Sequence, residues 1–395
     1  MADLIVSSDQ HMMEPPNMFA ERMPKNMRDR TVRIEYPSPR ECRAYYPDNP
    51  IPRTVIHAQD GLATRNFIND WWDPSDPSSD PVAAAIKDLD ADGVAAALLF
   101  PNFSLTALHR PDHDLALAHC RAHNDYVAES YNPHSKRFLT SAAIPLTDVD
   151  DAIAEIERAV QMGFRAILLP GAAPQPYDSP EYERVWQAAS AHGLVITSHT
   201  GTGFHWDNHP FFPRNSATPL ANSMTFHSVM ADDFKLMIMQ LVSGGVLQRH
   251  PDLHFVLVES NAAWLAELMA IMDASVVPAV GNNMAGEFAG GYGKSTELTW
   301  SKFQGAKWTY PMRPSDYVRR QIHVSFMEDP LAIQNRHYTG IDALVWGADY
   351  PHAEGTNLQS RASIAFQFAG VPDVERIAMT GGTLAKLFRL ETAAV

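Results

Sequence analysis

Cysteine is nearly missing from this chain of 395 residues: only Cys42 and Cys120 occur, far apart. That spacing fits no thiolate metal site, and two isolated thiols suit a reducing compartment. Basic charge is scarce as well, with 31 Lys and Arg against 46 Asp and Glu, a net charge of -15. Without clustered cations there is nothing to neutralise phosphates, which excludes nucleic acid as a partner. Long apolar runs are also lacking. None approaches the ~18 residues of a membrane span, and Leu4-Ile5-Val6, flanked by Asp3 and Asp9, is too short for a secretory signal core. A cytoplasmic protein with no membrane partner is expected. There is no Gly-Lys-Ser/Thr phosphate loop and no Gly-x-Ser-x-Gly elbow. Gly201-Thr202-Gly203 lacks the third glycine of a dinucleotide fingerprint.

What the chain does have is a succession of short apolar runs, each closed by a breaker or a polar residue. They cover 3–8, Val94 to Phe100, Phe138 to Ile144, Ala166 to Leu169, Leu194 to Thr197, His254 to Val258, Ile322 to Phe326 and Ala343 to Trp346. Stretches of helical periodicity alternate with them. Residues 148–162 carry Ile153, Ile156 and Val160 at helical spacing, opened by Asp148 and closed by Gly163. Residues 180–191 read the same way, with Ser179 as N-cap and Gly193 past the end; further helices are expected over 112–131, 234–247, 263–272 and 374–390. Continuous apolar strands alternating with amphipathic helices predict a parallel sheet. Eight of them predict an α/β fold: one distorted (β/α)8 TIM barrel over 1–395. A doubly wound sheet is the second choice, but only closure brings together the polar residues that end the first, fifth, sixth and eighth strands. Three long connections, 24–80, 200–231 and 276–316, are expected at the active-site face.

Those strand ends carry the candidate chemistry. Asp9 and His11 lie two apart on one strand and so face one side. His199, Glu259 and Asp349 end three further strands. Imidazole and carboxylate groups converging on a barrel mouth are what a divalent cation needs, Zn²⁺ first and Mn²⁺ or Fe²⁺ as alternatives. Asp349 is also placed to accept a proton, Gly347 permits close packing beside it, and His352 can orient its carboxylate or touch substrate. Glu259 is a candidate for both coordination and proton transfer. His227, Glu328, Arg53 and Arg65 are weaker candidates whose roles stay open. The loops carry Trp71, Trp72, Phe103, Trp206, Phe211, Phe212 and Trp308, which suit an apolar or ring-containing small-molecule substrate. Their extent also makes a homo-oligomer the expected assembly.

Five stretches together resemble a known family: Ser8-Asp9-Gln10-His11-Met12-Met13-Glu14-Pro15, Ser198-His199, Gly244-Gly245-Val246 through His250-Pro251-Asp252-Leu253, Glu259-Ser260-Asn261-Ala262-Ala263-Trp264, and Gly347-Ala348-Asp349-Tyr350-Pro351-His352-Ala353-Glu354-Gly355. The resemblance is to the amidohydrolase-related proteins grouped with aminocarboxymuconate-semialdehyde decarboxylase. It implies a distorted barrel with one metal, Asp9 and His11 matching the first-strand ligand pair, His199 the fifth-strand ligand and Asp349 the eighth-strand acid. Members include nonoxidative decarboxylases of aromatic or unsaturated acids, and hydrolases. The decarboxylases carry a His on strand six where this chain has Glu259, and Gly381-Gly382-Thr383-Leu384 stands where relatives often read Gly-Asn-Ala. The first departure favours a metal-dependent hydrolase, in which activated water attacks an amide, lactone or related carbonyl; the alternative is a metal-dependent decarboxylase. A non-catalytic barrel is disfavoured because buried polar strand ends without a task are costly.

Overall fold

Each apolar run hydrogen-bonds to its neighbours in sequence, and the sum is a barrel of parallel strands. The computed structural model describes residues 4–38, 41–45, 53–56, 79–109, 112–203, 218–276, 308–352 and 355–390. In chain order the strands are β1 (Val6–His11), β2 (Arg33–Ser38), β3 (Glu41–Tyr45), β4 (Arg53–Ile56), β5 (Ala96–Phe100) and β6 (Phe138–Ala143). They continue with β7 (Ala166–Leu169), β8 (Val195–His199), β9 (Phe255–Val258), β10 (Ile322–Phe326) and β11 (Leu344–Trp346). Eight of them form one sheet in the order β1-β5-β6-β7-β8-β9-β10-β11. β2, β3 and β4 form a separate antiparallel sheet inside the connection 24–80, which was expected to be loop. The signal there is alternation: Val32 and Ile34 are buried on either side of exposed Arg33, a pattern that continuous apolar runs do not show.

Both faces of the barrel strands are buried. Val6, Leu98, Phe100, Leu139, Leu168, Val195, Val256, Val258 and Val345 pack against one another in one cluster. Their alternate neighbours, among them Leu99, Ile167, Ile196, Leu257 and Val324, pack in a second cluster with helix residues such as Ile156 and Trp186. The period of two therefore sorts each strand between barrel interior and helical layer. The helices carry the expected caps at Asp148, Gly163 and Gly193, the last at φ 59°, and not at Ser179. Asp148 accepts from Asp151 N at 3.0 Å to open the helix Val149–Gln161, which ends before Gly163 at φ 89°. Ser179 makes no side-chain cap; Pro180–Tyr182 is a single 3-10 turn before the helix Glu183–Ala191. The stretch 234–247 is interrupted at Gly244-Gly245, with Gly245 at φ 73°. The departure at Gly381 is explained by crowding: a Cβ there would lie 2.3 Å from Leu4 O and 2.8 Å from Val6 N, so only glycine lets the C-terminal segment seat on β1.

The seam between β11 and β1 is stitched by single bonds, not a ladder. His11 N donates to Tyr350 O at 2.6 Å, Asp349 N to Asp9 O at 3.1 Å, and Gln10 and Tyr350 form an isolated bridge. β1 itself is bulged, its pairing with β5 slipping between Ser7 and Gln10. Ser7 Oγ fills the bulge, donating to Asp9 O at 2.7 Å and accepting from Ala348 N at 2.9 Å. No helix among the described residues is long and apolar enough to cross a membrane.

Two histidines of the scaffold, His123 and His323, are buried and held down to about 4 by loss of hydration. The unfolded chain binds protons at these sites from about pH 6.5 downward, whereas the folded protein does so only near 4. Their contribution is thus complete above pH 6.5 and is lost as pH falls toward 4. Urea unfolding at pH 7 and pH 5 should show a lower stability at pH 5, and His123→Phe should remove about 2 kcal/mol of that difference. An unchanged pH dependence in the variant would show that His123 is not buried as the neutral form.

Candidate metal centre

The bulge in β1 decides which way Asp9 and His11 point. Val6 lies in the interior cluster, and simple alternation would send the odd-numbered residues after it to the helical side. The extra residue reverses the parity, so Asp9 and His11 both enter the mouth of the barrel, 2 % and 1 % exposed. His199 arrives by plain alternation from Val195 through Thr197 on β8. Glu259 and Asp349 come by a third route: each follows its strand in the left-handed region, at φ 65° and 54°. For residues with a Cβ that costs on the order of 1–2 kcal/mol each, and such strain concentrates at functional sites. The loop after Glu259 is held by buried Asp329, whose Oδ2 accepts from Ala262 N and Ala263 N, both at 2.9 Å. Gly347 is needed for proximity, since a Cβ there would sit 2.7 Å from Asp9 Cβ and about as close to Ser8 and Ser325 Oγ.

These residues meet. His199 Nε2 is 3.0 Å from Glu259 Oε2 and 3.7 Å from Asp9 Oδ1. His11 Nε2 is 3.6 Å from both Asp9 Oδ1 and Asp349 Oδ1. Asp9, His11, His199 and Glu259 each offer a ligand atom, all within 4.8 Å of one another; His11, Asp349 and His352 form a second such group. Ligand atoms sharing a cation at roughly 2.0–2.2 Å lie at most about 4.4 Å apart, so the group is within tenths of an ångström of closing on one ion. The tautomers agree. His11 Nδ1 donates to Pro101 O and His199 Nδ1 to Thr200 O, both at 2.9 Å, and a carbonyl can only accept. Both Nε2 lone pairs are thereby turned into the site.

The electrostatics point the same way. Burial pushes the Asp9 and Asp349 carboxyls up, Asp349 strongly, and neighbouring carboxylates add to it. Burial drives the His199 imidazole down, but Glu259 and Asp9 outweigh it and lift the ring well above its usual range. Asp9 Oδ1, His199 Nε2 and Asp349 Oδ1 are buried, with one another and the neighbouring Glu259 and His352 as their polar surroundings. Three carboxylates and the His11 and His199 imidazoles, gathered with their donor atoms toward one another, fit a divalent cation.

The other candidates fall elsewhere. His227 is exposed on the helix Pro219–Val229, and Glu328 is exposed and accepts from Ser363 Oγ at 2.7 Å; neither belongs to the ligand groups. Arg53 starts β4, and Arg65, Trp71, Trp72, Trp206, Phe211 and Phe212 lie outside the described residues. Phe103 is fully buried, and Trp308 packs edge-on against Tyr310 and Tyr317, so both serve packing. Two neighbours escaped notice in the sequence: Pro101, noticed only as a strand terminator, and Asn102, whose Oδ1 is 3.4 Å from His352 Nε2. His352 also places Nδ1 2.9 Å from Asp349 Oδ1 and lies over His11 with ring centroids 4.1 Å apart.

Fold and centre together define an enzyme of the amidohydrolase superfamily. A family model described as amidohydrolase matches residues 41–390, and the chain belongs to that family. Among characterised proteins it is similar to gamma-resorcylate decarboxylase of Rhizobium sp. (strain MTP-10005), 27% identical over 186 residues, which is 44% of this chain and 53% of that one. The chain thus spans about half the length of the curated relatives it matches. Its fold is that of an amidohydrolase from Mycobacterium avium subsp. paratuberculosis K-10, TM-score 0.71 at 17% identity over 98% of this chain and 100% of the other. It is also that of a dihydroxybenzoic acid decarboxylase from Polaromonas sp. JS666 holding manganese and the inhibitor 2-nitroresorcinol, TM-score 0.60 at 17% identity over 99% and 98%.

These findings correct the expectation of hydrolysis, because the relatives matched in sequence are decarboxylases. The reason for that expectation was the strand-six position, where Glu259 stands in place of a histidine. A further imidazole, that of His352, lies 2.9 Å from the eighth-strand acid. Glu259, turned toward His199, therefore does not count against carbon–carbon cleavage.

Gly347→Ala should displace Asp9, costing roughly 1–3 kcal/mol of stability and lowering bound metal per chain in elemental analysis. Metal content and melting temperature equal to wild type would show that the close approach is not required.

Proposed function

We propose that the protein is a metal-dependent nonoxidative decarboxylase of an aromatic carboxylic acid. The observation that carries this reading is the sequence match to gamma-resorcylate decarboxylase, in a chain whose barrel mouth gathers Asp9, His11, His199, Glu259 and Asp349. Asp9, His11 and His199 would hold the cation, with Glu259 and Asp349 completing its surroundings. When bound, a divalent cation supplies positive charge for the substrate carboxylate and a neighbouring ring oxygen. Mn²⁺ is the first choice, because a neighbour of the same fold holds it; Zn²⁺ and Fe²⁺ are the alternatives that this donor set admits.

Asp349 and His352 supply the proton chemistry. Oδ1 and Nδ1, 2.9 Å apart, would share one proton, and Asn102 Oδ1 faces the other ring nitrogen at 3.4 Å. Delivery of that proton to the ring carbon forms a C–H bond as the bond to the carboxylate breaks and CO₂ leaves. A solvent proton then restores the pair. Burial of Asp349 and His11 keeps competing water away from the carbon.

The connections 24–80, 200–231 and 276–316 are assigned to the walls of the substrate site, within one barrel domain. Buried Cys120, a free thiol, suits the cytoplasmic setting of this reading. A homo-oligomer is part of it too: Phe366 and Val374, 88% and 76% exposed, are large apolar side chains left in solvent.

Mn²⁺-loaded protein mixed with a panel of ortho-hydroxybenzoic acids should release CO₂ and the matching phenol. Asp349→Asn should lower turnover by about 10²–10⁴. A fully loaded enzyme that releases no CO₂ from any member of the panel would overturn the reading. Light scattering should give a mass above that of one chain; a monomer at all concentrations would remove the oligomer.

A further inference from the structure

Glu14 is fully buried three residues beyond His11, and nothing in the chemistry above uses it. Its Oε1 accepts from three successive backbone amides: Asn102 N at 2.9 Å, Phe103 N at 2.7 Å and Ser104 N at 3.1 Å. Ser104 Oγ donates to the same oxygen at 3.2 Å. Four donors on one carboxylate oxygen fix a stretch of backbone as firmly as any side chain can, since charge-assisted bonds are about twice as strong as neutral ones. That stretch is the loop that leaves β5, and two of its atoms reach the metal centre. Pro101 O takes the Nδ1 proton of His11 at 2.9 Å, and Asn102 Oδ1 lies 3.4 Å from His352 Nε2.

We propose that Glu14 is a positioning residue for the metal centre: by clamping the amides of 102–104 it sets the Pro101 carbonyl and the Asn102 side chain, and through them the rings of His11 and His352. The link is short. His11 can present Nε2 to a cation only if Nδ1 has an acceptor at the right place, and the loop that carries this acceptor is held by a carboxylate from the same strand's continuation. Met12 N donates to Phe100 O at 2.9 Å and Tyr36 Oη to Glu14 O at 2.8 Å, so Glu14 is itself fixed from both sides. Outer partners of metal-bound histidines alter affinity by roughly 10–100-fold when removed. The same magnitude is expected here although Glu14 acts through one further bond, because it is the anchor of the whole loop.

This inference rests on the metal centre of the proposed function but not on the reaction assigned to it, so its test reads metal binding without substrate. Apo protein is titrated with Mn²⁺ and the bound ion is followed by its paramagnetic resonance spectrum. Glu14→Ala should weaken Mn²⁺ binding about 10–100-fold and broaden the spectrum. Glu14→Gln keeps an acceptor for the amides and should lose less, which is rescue by the conservative variant. Glu155→Gln serves as the control: this glutamate is equally buried, bonded to Asn124 and Arg158, and its loss should lower the melting temperature without changing Mn²⁺ affinity. If Glu14→Ala does not fold, Glu14→Gln decides alone: a measurable loss of affinity supports the role. Wild-type affinity and spectrum in the folded Glu14 variants overturn it, even with full loss of decarboxylation in some other variant. A wild-type chain that binds no Mn²⁺ overturns the centre and this role together.

Discussion

Three carboxylates and two imidazoles crowd the mouth of this barrel where little water reaches them. At about 4 Å, like charges repel by roughly 4 kcal/mol at an effective dielectric of 20, and desolvation adds several kcal/mol per ion. Left to themselves, the Asp9 and Asp349 carboxyls respond by drifting upward toward their protonated forms. A doubly charged cation removes the repulsion and satisfies the lone pairs at once. Much of the neighbouring structure makes sense as the means of holding that charge arrangement in place. The two carbonyls that fix the histidine tautomers, the glycine that admits Asp9 beside the eighth strand and the two left-handed residues after strand ends all serve the same centre.

The barrel's closure depends on the same atoms. β1 and β11 share no regular ladder, and the bonds that join them come from the backbones of Asp9, His11, Asp349 and Tyr350. Ser7 Oγ adds a bond across the seam from inside the bulge. The bulge therefore does two things: it ends regular pairing, and it turns two consecutive donors inward. A cation held by Asp9 and His11 of the first strand and by Asp349 after the last would bridge the very seam that lacks a ladder. Binding energy and closure would be coupled there, since a ligand that binds only the closed arrangement stabilises it.

Most of the strand set was legible because a buried parallel strand announces itself as a continuous apolar run. Seven of the eight barrel strands begin or end within two residues of where those runs do; β1 does not. The run suggested a strand over 3–8, yet β1 continues through His11 with every residue buried. Apolarity is the wrong guide at a barrel mouth, where inward positions are polar because they are the site. Asp9, His11, His199, Glu259 and Asp349 were recognisable as donors from residue type and position. How each was aimed was not, since a bulge and a positive φ leave no mark in a sequence of ordinary residues. Glu14 shows the limit best. It stood in view within the Asp9 to Pro15 stretch, but its partners are backbone amides some ninety residues away. Main-chain donors have no residue type to read.

The strand-six glutamate shows how one substitution can mislead when residues are weighed singly. A histidine at that place provides an imidazole beside the substrate, and its replacement by Glu259 looks like the loss of a proton donor. The geometry places two residues that have to be read together. Glu259 turns toward His199 and joins the cation's surroundings, while His352, three residues beyond Asp349, brings an imidazole to the eighth-strand acid from the opposite side. What the chemistry requires is a proton held next to the reacting carbon and a cation to take up the charge, and neither requirement names a strand. Charge and direction at the barrel mouth therefore weigh more than the residue type at any single strand end.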